Sequence, residues 1–359
     1  MGLASTPASG LDTLTINGNT TVSGGALRVN TFTDYGLGLL SLTGGSVALH
    51  SGAANTLINA TVSGVTGTGG GVISTDIRTQ DSDQANLIIN VAGSNSYTTD
   101  ASLSNGGNVT TSRLSVTKNG TGTQTLAGAS TYSGGTTVNL GTLILQNNTA
   151  LGNGTVTVNG GTLKVSSGNS IGNAVTLSGG TYSKDFASGN AYSLFGNPVS
   201  HFTADSKPDT AAAFLAGTAG AARNDVALSF ATAPGSAASN DASRISDVFS
   251  LNGTTNDTFV LQLSVAGVTA TDILGYLSGG QWVNAVQGND GGTANFVGNV
   301  AYNSGYFSLG NYGVDTTNGS AWAVINHNSD FAIVTVPEPG VASLLGIAAA
   351  FLLIKRRKA

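Results

Sequence analysis

The fold is indicated most clearly by residues 136–165, TTVNLGTLILQNNTALGNGTVTVNGGTLKV. Within this stretch NLGTL begins at Asn139, and the similar segment NGGTL begins at Asn159. Runs such as Val156-Thr157-Val158 and Leu163-Lys164-Val165 alternate apolar and polar residues, as half-buried β-strands do. The Asn-Gly and Gly-Gly pairs between them accept the positive φ angles of tight corners. The stretch therefore predicts short strands connected by glycine corners in a repeating turn.

The same pattern recurs through the first half of the chain. A Gly-Gly pair precedes a small and an apolar residue at positions 24–25, 44–45, 160–161 and 179–180. Neighbouring repeats are spaced by about 20 residues, and a fixed period of this length is typical of solenoids. Strand-forming residues with glycine corners favour a β-helix among the solenoids. We therefore predict an all-β protein in which residues 1–189 form a parallel β-helix of Gly-rich repeats.

One part of this region also resembles a known repeat. Residues 114–143, LSVTKNGTGTQTLAGASTYSGGTTVNLGTL, are similar to the autotransporter-associated β-strand repeat. The resemblance implies a β-helix of the kind that forms the passenger region of secreted bacterial proteins. It does not imply a particular export route, because the chain ends in a different kind of segment.

The pattern changes at about residue 190, where the Gly-Gly repeat stops and phenylalanines become frequent. Residues 258–265, TFVLQLSV, alternate in polarity, and Trp322 and Phe331 begin further strand-like runs. Short strands separated by turn residues favour a β-sandwich. We predict a β-rich, sandwich-like domain over residues 190–335. Residues 211–223 are a candidate helix, although Gly217 and Gly220 weaken that prediction.

Residues 336–359 differ in composition from the rest of the chain. Glu338 is the only glutamate and is flanked by Pro337 and Pro339. Residues 341–354 carry no charge and would form a helix of roughly 21 Å, which is short for a bilayer core of about 30 Å. We expect a short C-terminal membrane helix there. The basic end that follows would stay on the cytoplasmic side and consists of Lys355, Arg356, Arg357 and Lys358.

This ending closely resembles the PEP-CTERM sorting signal of Gram-negative bacteria. The resemblance implies that Pro337, Glu338 and Pro339 are recognised by a membrane-embedded exosortase and that the basic residues act as a cytoplasmic stop. It also implies a transient anchor in the inner membrane, removal of the tail, and transfer to the cell surface or extracellular matrix. Residues 1–10 lack the basic and apolar regions of a signal peptide, so we expect either that the natural start lies upstream or that the chain is a fragment.

Composition excludes several other functions. Charged residues make up 9% of the chain, and the formal net charge is −5. No basic patch is present to neutralise phosphates, which argues against nucleic-acid binding. The absence of cysteine excludes disulfides, thiolate zinc sites and thiol nucleophiles. Nothing in the sequence calls for a cofactor.

Several residue patterns are candidates for catalytic, metal-binding or ligand-binding sites. A glycosidase needs two carboxylates, and the pairs Asp205 with Asp209 and Asp241 with Asp247 are near enough in sequence. Isolated loop aspartates explain these pairs more simply. Four other patterns are also candidates, and structural or surface roles explain each of them more simply. They are Asp81-Ser82-Asp83 as a calcium site, Gly168–Gly172 as a nucleophile elbow, histidines 50, 201 and 327 as metal ligands, and tryptophans 282 and 322 as surfaces that stack on sugars.

The sequence favours a structural function over an enzymatic one. We interpret the chain as an exported, exosortase-sorted structural or adhesive protein of the cell surface or matrix, with exopolysaccharide as a further candidate partner. The alternative is a β-helix enzyme that degrades or modifies a polysaccharide through paired aspartates. No convergent catalytic set is evident in the sequence, so we expect no enzymatic activity.

Overall fold

The structure is a computed structural model that describes residues 2–3, 13–15, 18–30, 34–50, 57–75, 84–106, 112–202, 207–234 and 238–335. Within these residues it contains β-strands and short 3₁₀ turns but no α-helix. The all-β prediction is therefore confirmed. The 3₁₀ turns found in these ranges are Tyr192–Phe195, Asp241–Ser243, Ala285–Gly288 and Ser304–Tyr306.

The first part of the chain winds in turns of three strands, which stack in parallel on the strands of the next turn. Leu27 pairs with Val47 in the following turn, so the spacing of the glycine pairs gives the strand register. The strands are β1 (Gly2–Leu3), β2 (Thr13–Thr15), β3 (Thr20–Val22), β4 (Ala26–Asn30), β5 (Asp34–Gly36), β6 (Leu39–Leu42), β7 (Ser46–His50), β8 (Leu57–Val62), β9 (Gly64–Thr66), β10 (Val72–Thr75), β11 (Gln84–Asn90), β12 (Ser96–Thr99) and β13 (Ser102–Ser104).

From residue 113 onward, each turn contributes one strand to a 14-stranded sheet, and most contribute a second strand to a ten-stranded sheet. Thr142 pairs with Thr162, and Thr162 pairs with Thr181, as the repeat spacing predicts. The strands are β14 (Arg113–Asn119), β15 (Thr123–Leu126), β16 (Thr136–Val138), β17 (Thr142–Leu145), β18 (Val156–Val158), β19 (Thr162–Val165), β20 (Val175–Leu177), β21 (Thr181–Phe186) and β22 (Val199–His201).

Strand pairing changes from parallel to antiparallel where the repeats end. Strand β22 pairs in parallel with β20, and both β21 and β22 have an antiparallel neighbour on their other side. The two sheets therefore continue without interruption into the last part of the chain. Its strands are β23 (Ala211–Gly217), β24 (Arg223–Ala231), β25 (Val248–Asn252), β26 (Phe259–Ser264), β27 (Asp272–Ser278), β28 (Gln281–Asn284), β29 (Asn295–Asn299), β30 (Asn311–Asp315), β31 (Ser320–Ile325) and β32 (Ser329–Thr335).

The candidate helix over residues 211–223 was wrong. Residues 211–217 form β23, which places Ala212 and Phe214 on the buried face, and β24 begins at Arg223. Alanine favours helices in isolation, but burial against a neighbouring strand overrides that preference. Gly217 also ends β23 at φ +114°, where a Cβ atom would lie 2.6 Å from Phe259.

One hydrophobic core runs through both parts of the chain. It contains inward-facing Leu, Val and Ile residues from the stacked turns and inward-facing residues of the antiparallel strands. At the transition a group of rings joins the two, with Phe195 stacked on Phe214 at 5.0 Å and Tyr192 lying 5.3 Å from Phe259. Residues on either side of position 189 therefore share a core. The division into domains 1–189 and 190–335 stays a prediction.

The C-terminal segment 336–359 lies outside the described residues. This holds for Pro337, Glu338 and Pro339, for the expected helix 341–354, and for the basic residues 355–358. Across the described ranges, no helix has the length and hydrophobicity that crossing a membrane requires.

Candidate functional site

An extended polar concavity lies on the outer face of the 14-stranded sheet. Hydrogen bonding places Ser115, Gly135, Thr155 and Ala174 in one row across strands β14 to β20. Thr117, Thr137, Thr157 and Thr176 form a parallel row two positions further along each strand. Because Gly135 has no side chain, the first row has a gap between Ser115 and Thr155.

Two adjoining depressions form one groove here, since Thr155 lines both of them. The first has a volume of about 240 Å³ and follows the two rows of hydroxyls. The second, of about 340 Å³, lies at the corner that precedes β18 and β20. We call this feature the polar groove and define it by Ser115, Thr117, Thr137, Thr155, Thr157, Asn148, Asn153 and Asn173.

The lining of the polar groove is hydrogen-bonding but uncharged. Every described residue that lines the two depressions is Ser, Thr, Asn, Gly, Ala or Val. Among the described residues, the hydroxyls of Thr137, Thr155 and Thr157 and the amide of Asn153 have no side-chain hydrogen bond within the protein. These groups are free to donate to and accept from a ligand.

Asn173 is the most constrained member of the groove, at 7% exposure. Its amide nitrogen donates to the carbonyl oxygens of Gly152 (3.2 Å) and Gly154 (2.7 Å), which fixes the orientation of the side chain. Its Oδ1 accepts no hydrogen bond from any described residue, and the side chain lines the groove. Asn173 is therefore a preorganised acceptor beside hydroxyls that can rotate.

A ladder of asparagines stabilises the corner that follows the same strands. Asn139 Nδ2 donates to Asn119 Oδ1 at 2.9 Å, and Asn159 Nδ2 donates to Asn139 Oδ1 at 2.8 Å. Each amide thereby links one turn to the next. This ladder holds successive turns in register and so maintains the spacing of the rows in the groove.

Two lysines occupy the inner side of the turns beneath the sheets. Lys118 Nζ donates to the backbone carbonyls of Asn119 (2.7 Å), Gly120 (2.8 Å) and Leu140 (3.2 Å). Lys184 Nζ donates to the carbonyl of Asn169 and lies 5.3 Å from the centre of the Phe186 ring. Desolvation lowers the pKa of each lysine to about 8. The alternating pattern gave no sign that either lysine points inward.

The structure gives separate partners to the two carboxylates of the candidate pair Asp241 and Asp247. Asp241 Oδ1 accepts from Arg244 Nε (2.8 Å) and from Trp282 Nε1 (3.0 Å), and the bond to Arg244 lowers the pKa of Asp241. Asp247 is buried against His201, so the expectation of an exposed loop aspartate was wrong for Asp247. Asp209 is exposed. Asp205 lies outside the described residues, as do Asp81 and Asp83.

The remaining candidates that the structure describes lie in turns or pack within the protein. Residues 168–172 connect β19 to another strand, β20, whereas a nucleophile elbow requires a following helix. Trp282 and Trp322 are 4% and 0% exposed, which agrees with structural roles for both. His327 Nε2 lies 2.8 Å from the carbonyl oxygen of Ala285. The side chain of His50 lies outside the described set.

Comparison with known proteins identifies the repeat that forms part of this site. The passenger-associated-transport-repeat family model matches residues 116–145, which extend from β14 to the end of β17. This confirms the repeat expected from residues 114–143. No curated protein and no solved structure matches the chain. The matched repeat indicates a β-rich, passenger-type extracellular protein.

Proposed function

We propose that this chain is an exported structural or adhesive protein of the cell surface or extracellular matrix, delivered by exosortase sorting. The passenger-associated repeat within residues 116–145 is the observation that carries the proposal. The stacked turns support it further, because they form a long, low-charge scaffold with a polar outer face. The engagement of Asp241 and Asp247 with separate partners supports a structural role rather than catalysis by paired carboxylates.

The sorting step rests on the C-terminal sequence. Pro337, Glu338 and Pro339 present one carboxylate on a stiff, extended segment, because each proline fixes its own φ and restricts the residue before it. The apolar residues 341–354 then serve as a transient inner-membrane anchor, and the basic end holds the C-terminus in the cytoplasm. Exosortase is the partner in this step, and the tail is removed.

Intact-mass analysis tests the sorting proposal. Protein isolated from cells with active exosortase should lack residues 344–359, whereas cells without exosortase should retain them. The second strain is the matched control, because the chain itself is unchanged. Recovery of a product that ends at Ala359 from exosortase-positive cells would contradict processing.

A further inference from the structure

We propose that the polar groove binds a neutral polysaccharide. The main support is Asn173, which lines the uncharged polar groove and is held in place by two hydrogen bonds from its amide nitrogen. Its Oδ1 atom accepts no hydrogen bond from any described residue and is available to a ligand. Binding of a polysaccharide would give the proposed adhesive role a specific ligand class. It rests on the proposed function in one respect, because only an exported protein would contact polysaccharide outside the cell.

The chemistry of the lining selects the class of ligand. A charged ligand would lose hydration without meeting a countercharge in the groove, which is unfavourable. An apolar ligand would bury hydroxyl and amide groups without partners, at a similar disadvantage. A sugar chain carries neutral hydroxyls that both donate and accept, so it satisfies the threonine hydroxyls and the asparagine amides together.

The geometry favours a chain rather than a single small molecule. The two depressions meet at Thr155, and both are open to solvent. Thr117, Thr137 and Thr157 lie on three successive strands, which extends the row over roughly 10 Å at the usual strand spacing. A polysaccharide that crosses the strands would meet one hydroxyl per turn and then reach Asn153 and Asn173 at the corner.

Affinity gel electrophoresis of the purified mature protein tests this assignment. The probes are hydroxyethyl cellulose, soluble amylose, dextran and galactomannan, with polygalacturonate as the charged comparison. At least one neutral polysaccharide should retard the protein, and polygalacturonate should retard it less. Failure of all four neutral probes, or stronger retardation by polygalacturonate, would overturn the assignment.

Two variants locate the binding site. Thr155→Val removes one hydroxyl while keeping the β-branched shape, and Asn153→Ala removes an exposed amide that has no protein partner among the described residues. Each should weaken binding by roughly 2- to 10-fold, the expected loss for one hydrogen bond. Thr162→Val is the matched control, because Thr162 faces outward from the ten-stranded sheet. Equal losses in Thr155→Val and Thr162→Val would refute the groove as the site.

The polysaccharide-binding measurement does not depend on whether exosortase sorts the protein. Binding is measured on purified protein, whereas export and tail removal are measured in cells. A folded protein with correct processing but no polysaccharide binding would reject the groove and leave the proposed function intact. Circular dichroism verifies that each variant is folded, and the two separate substitutions keep the test decisive if one of them fails to fold.

Discussion

His201 Nδ1 lies 2.8 Å from Asp247 Oδ2, and each side chain is 2% exposed. His201 ends β22 in the 14-stranded sheet, and Asp247 directly precedes β25 in the ten-stranded sheet. Thr210 supports both residues, since its carbonyl accepts from His201 N (2.8 Å) and its hydroxyl accepts from Asp247 N (2.9 Å). The pair therefore joins the two sheets where parallel pairing gives way to antiparallel pairing.

Removing one member of this pair should destabilise the protein strongly. His201→Ala deprives a buried carboxyl group of its ring partner, and we expect the free energy of unfolding to fall by about 1–3 kcal/mol, the cost of removing the hydrogen-bond partner of a buried polar group. Chemical denaturation measures the change. Asp209→Asn is the control, because Asp209 is exposed, and it should alter stability by less than about 0.5 kcal/mol. A loss below about 1 kcal/mol for His201→Ala would show that the pair does not stabilise the junction.

The buried lysines should produce a distinctive pH dependence. In the folded protein Lys118 has a pKa of about 8, against an ordinary value of 10.5. Between these values the unfolded chain binds more protons, so raising the pH increases the free energy of unfolding. Denaturation at pH 7.5 and 9.5 should show this gain in the native protein and a smaller gain in Lys118→Met.

Lys164→Met is the control for this measurement. Partial burial lowers the pKa of Lys164, but the bonds to Asp225 and Asp185 outweigh that effect and leave its pKa above the usual value. Lys164 therefore stays protonated in both states over this range, and its removal should leave the pH dependence unchanged. Identical pH profiles for the native protein and Lys118→Met would contradict the burial of a lysine with a lowered pKa.

The corner glycines should differ in their tolerance of a methyl group. Gly141 has φ +64°, and a Cβ atom there would lie 2.3 Å from the carbonyl oxygen of Gly122 in the preceding turn. Gly168 has φ +80°, but a Cβ atom added there would have no described atom within 4 Å. Gly168→Ala should therefore cost only the backbone strain of about 1–2 kcal/mol. Gly141→Ala should cost a further 1–3 kcal/mol, roughly, from overpacking. Equal midpoint temperatures of thermal unfolding for the two variants would disprove close stacking of the turns.

The sorting carboxylate can be tested by a single substitution. Glu338→Gln removes the charge from the Pro-Glu-Pro segment, and the loss of one charge-assisted hydrogen bond should reduce processing by roughly 10- to 150-fold. The ratio of precursor to mature protein measures the effect. Asp81→Asn and Asp209→Asn are the comparisons, because both residues lie in the body of the chain and Asp209 is exposed. The same ratio of precursor to mature protein in all three variants would show that the Glu338 carboxylate is not recognised during processing.

Local sequence was sufficient for the parts of the fold that repeat. The NLGTL and NGGTL segments predicted both the strands and their register, because a fixed period places equivalent residues of successive turns side by side. The alternation in residues 258–265 likewise predicted β26. The rows of the polar groove could have been found in the same way, by aligning Thr117, Thr137 and Thr157 at the repeat period.

Features that depend on distant residues could not be predicted from local pattern. Asp247 and His201 lie far apart in the sequence, and neither residue has a local pattern that identifies its partner. Lys118 and Lys184 stand at inward positions that an alternating pattern assigns to apolar residues. Residues 211–217 follow helix preference in isolation, and only their pairing with β22 and β26 makes them a strand.

Surface exposure on intact cells tests the central claim most directly. An antibody raised against the folded protein should label intact exosortase-positive cells, or the matrix shed from them, about as strongly as it labels lysed material. Cells that carry Glu338→Gln should retain the protein with their membranes instead. The account predicts mature protein on the outside in the first strain. Detection only after lysis in that strain would contradict the claim that this chain is an exported surface or matrix protein.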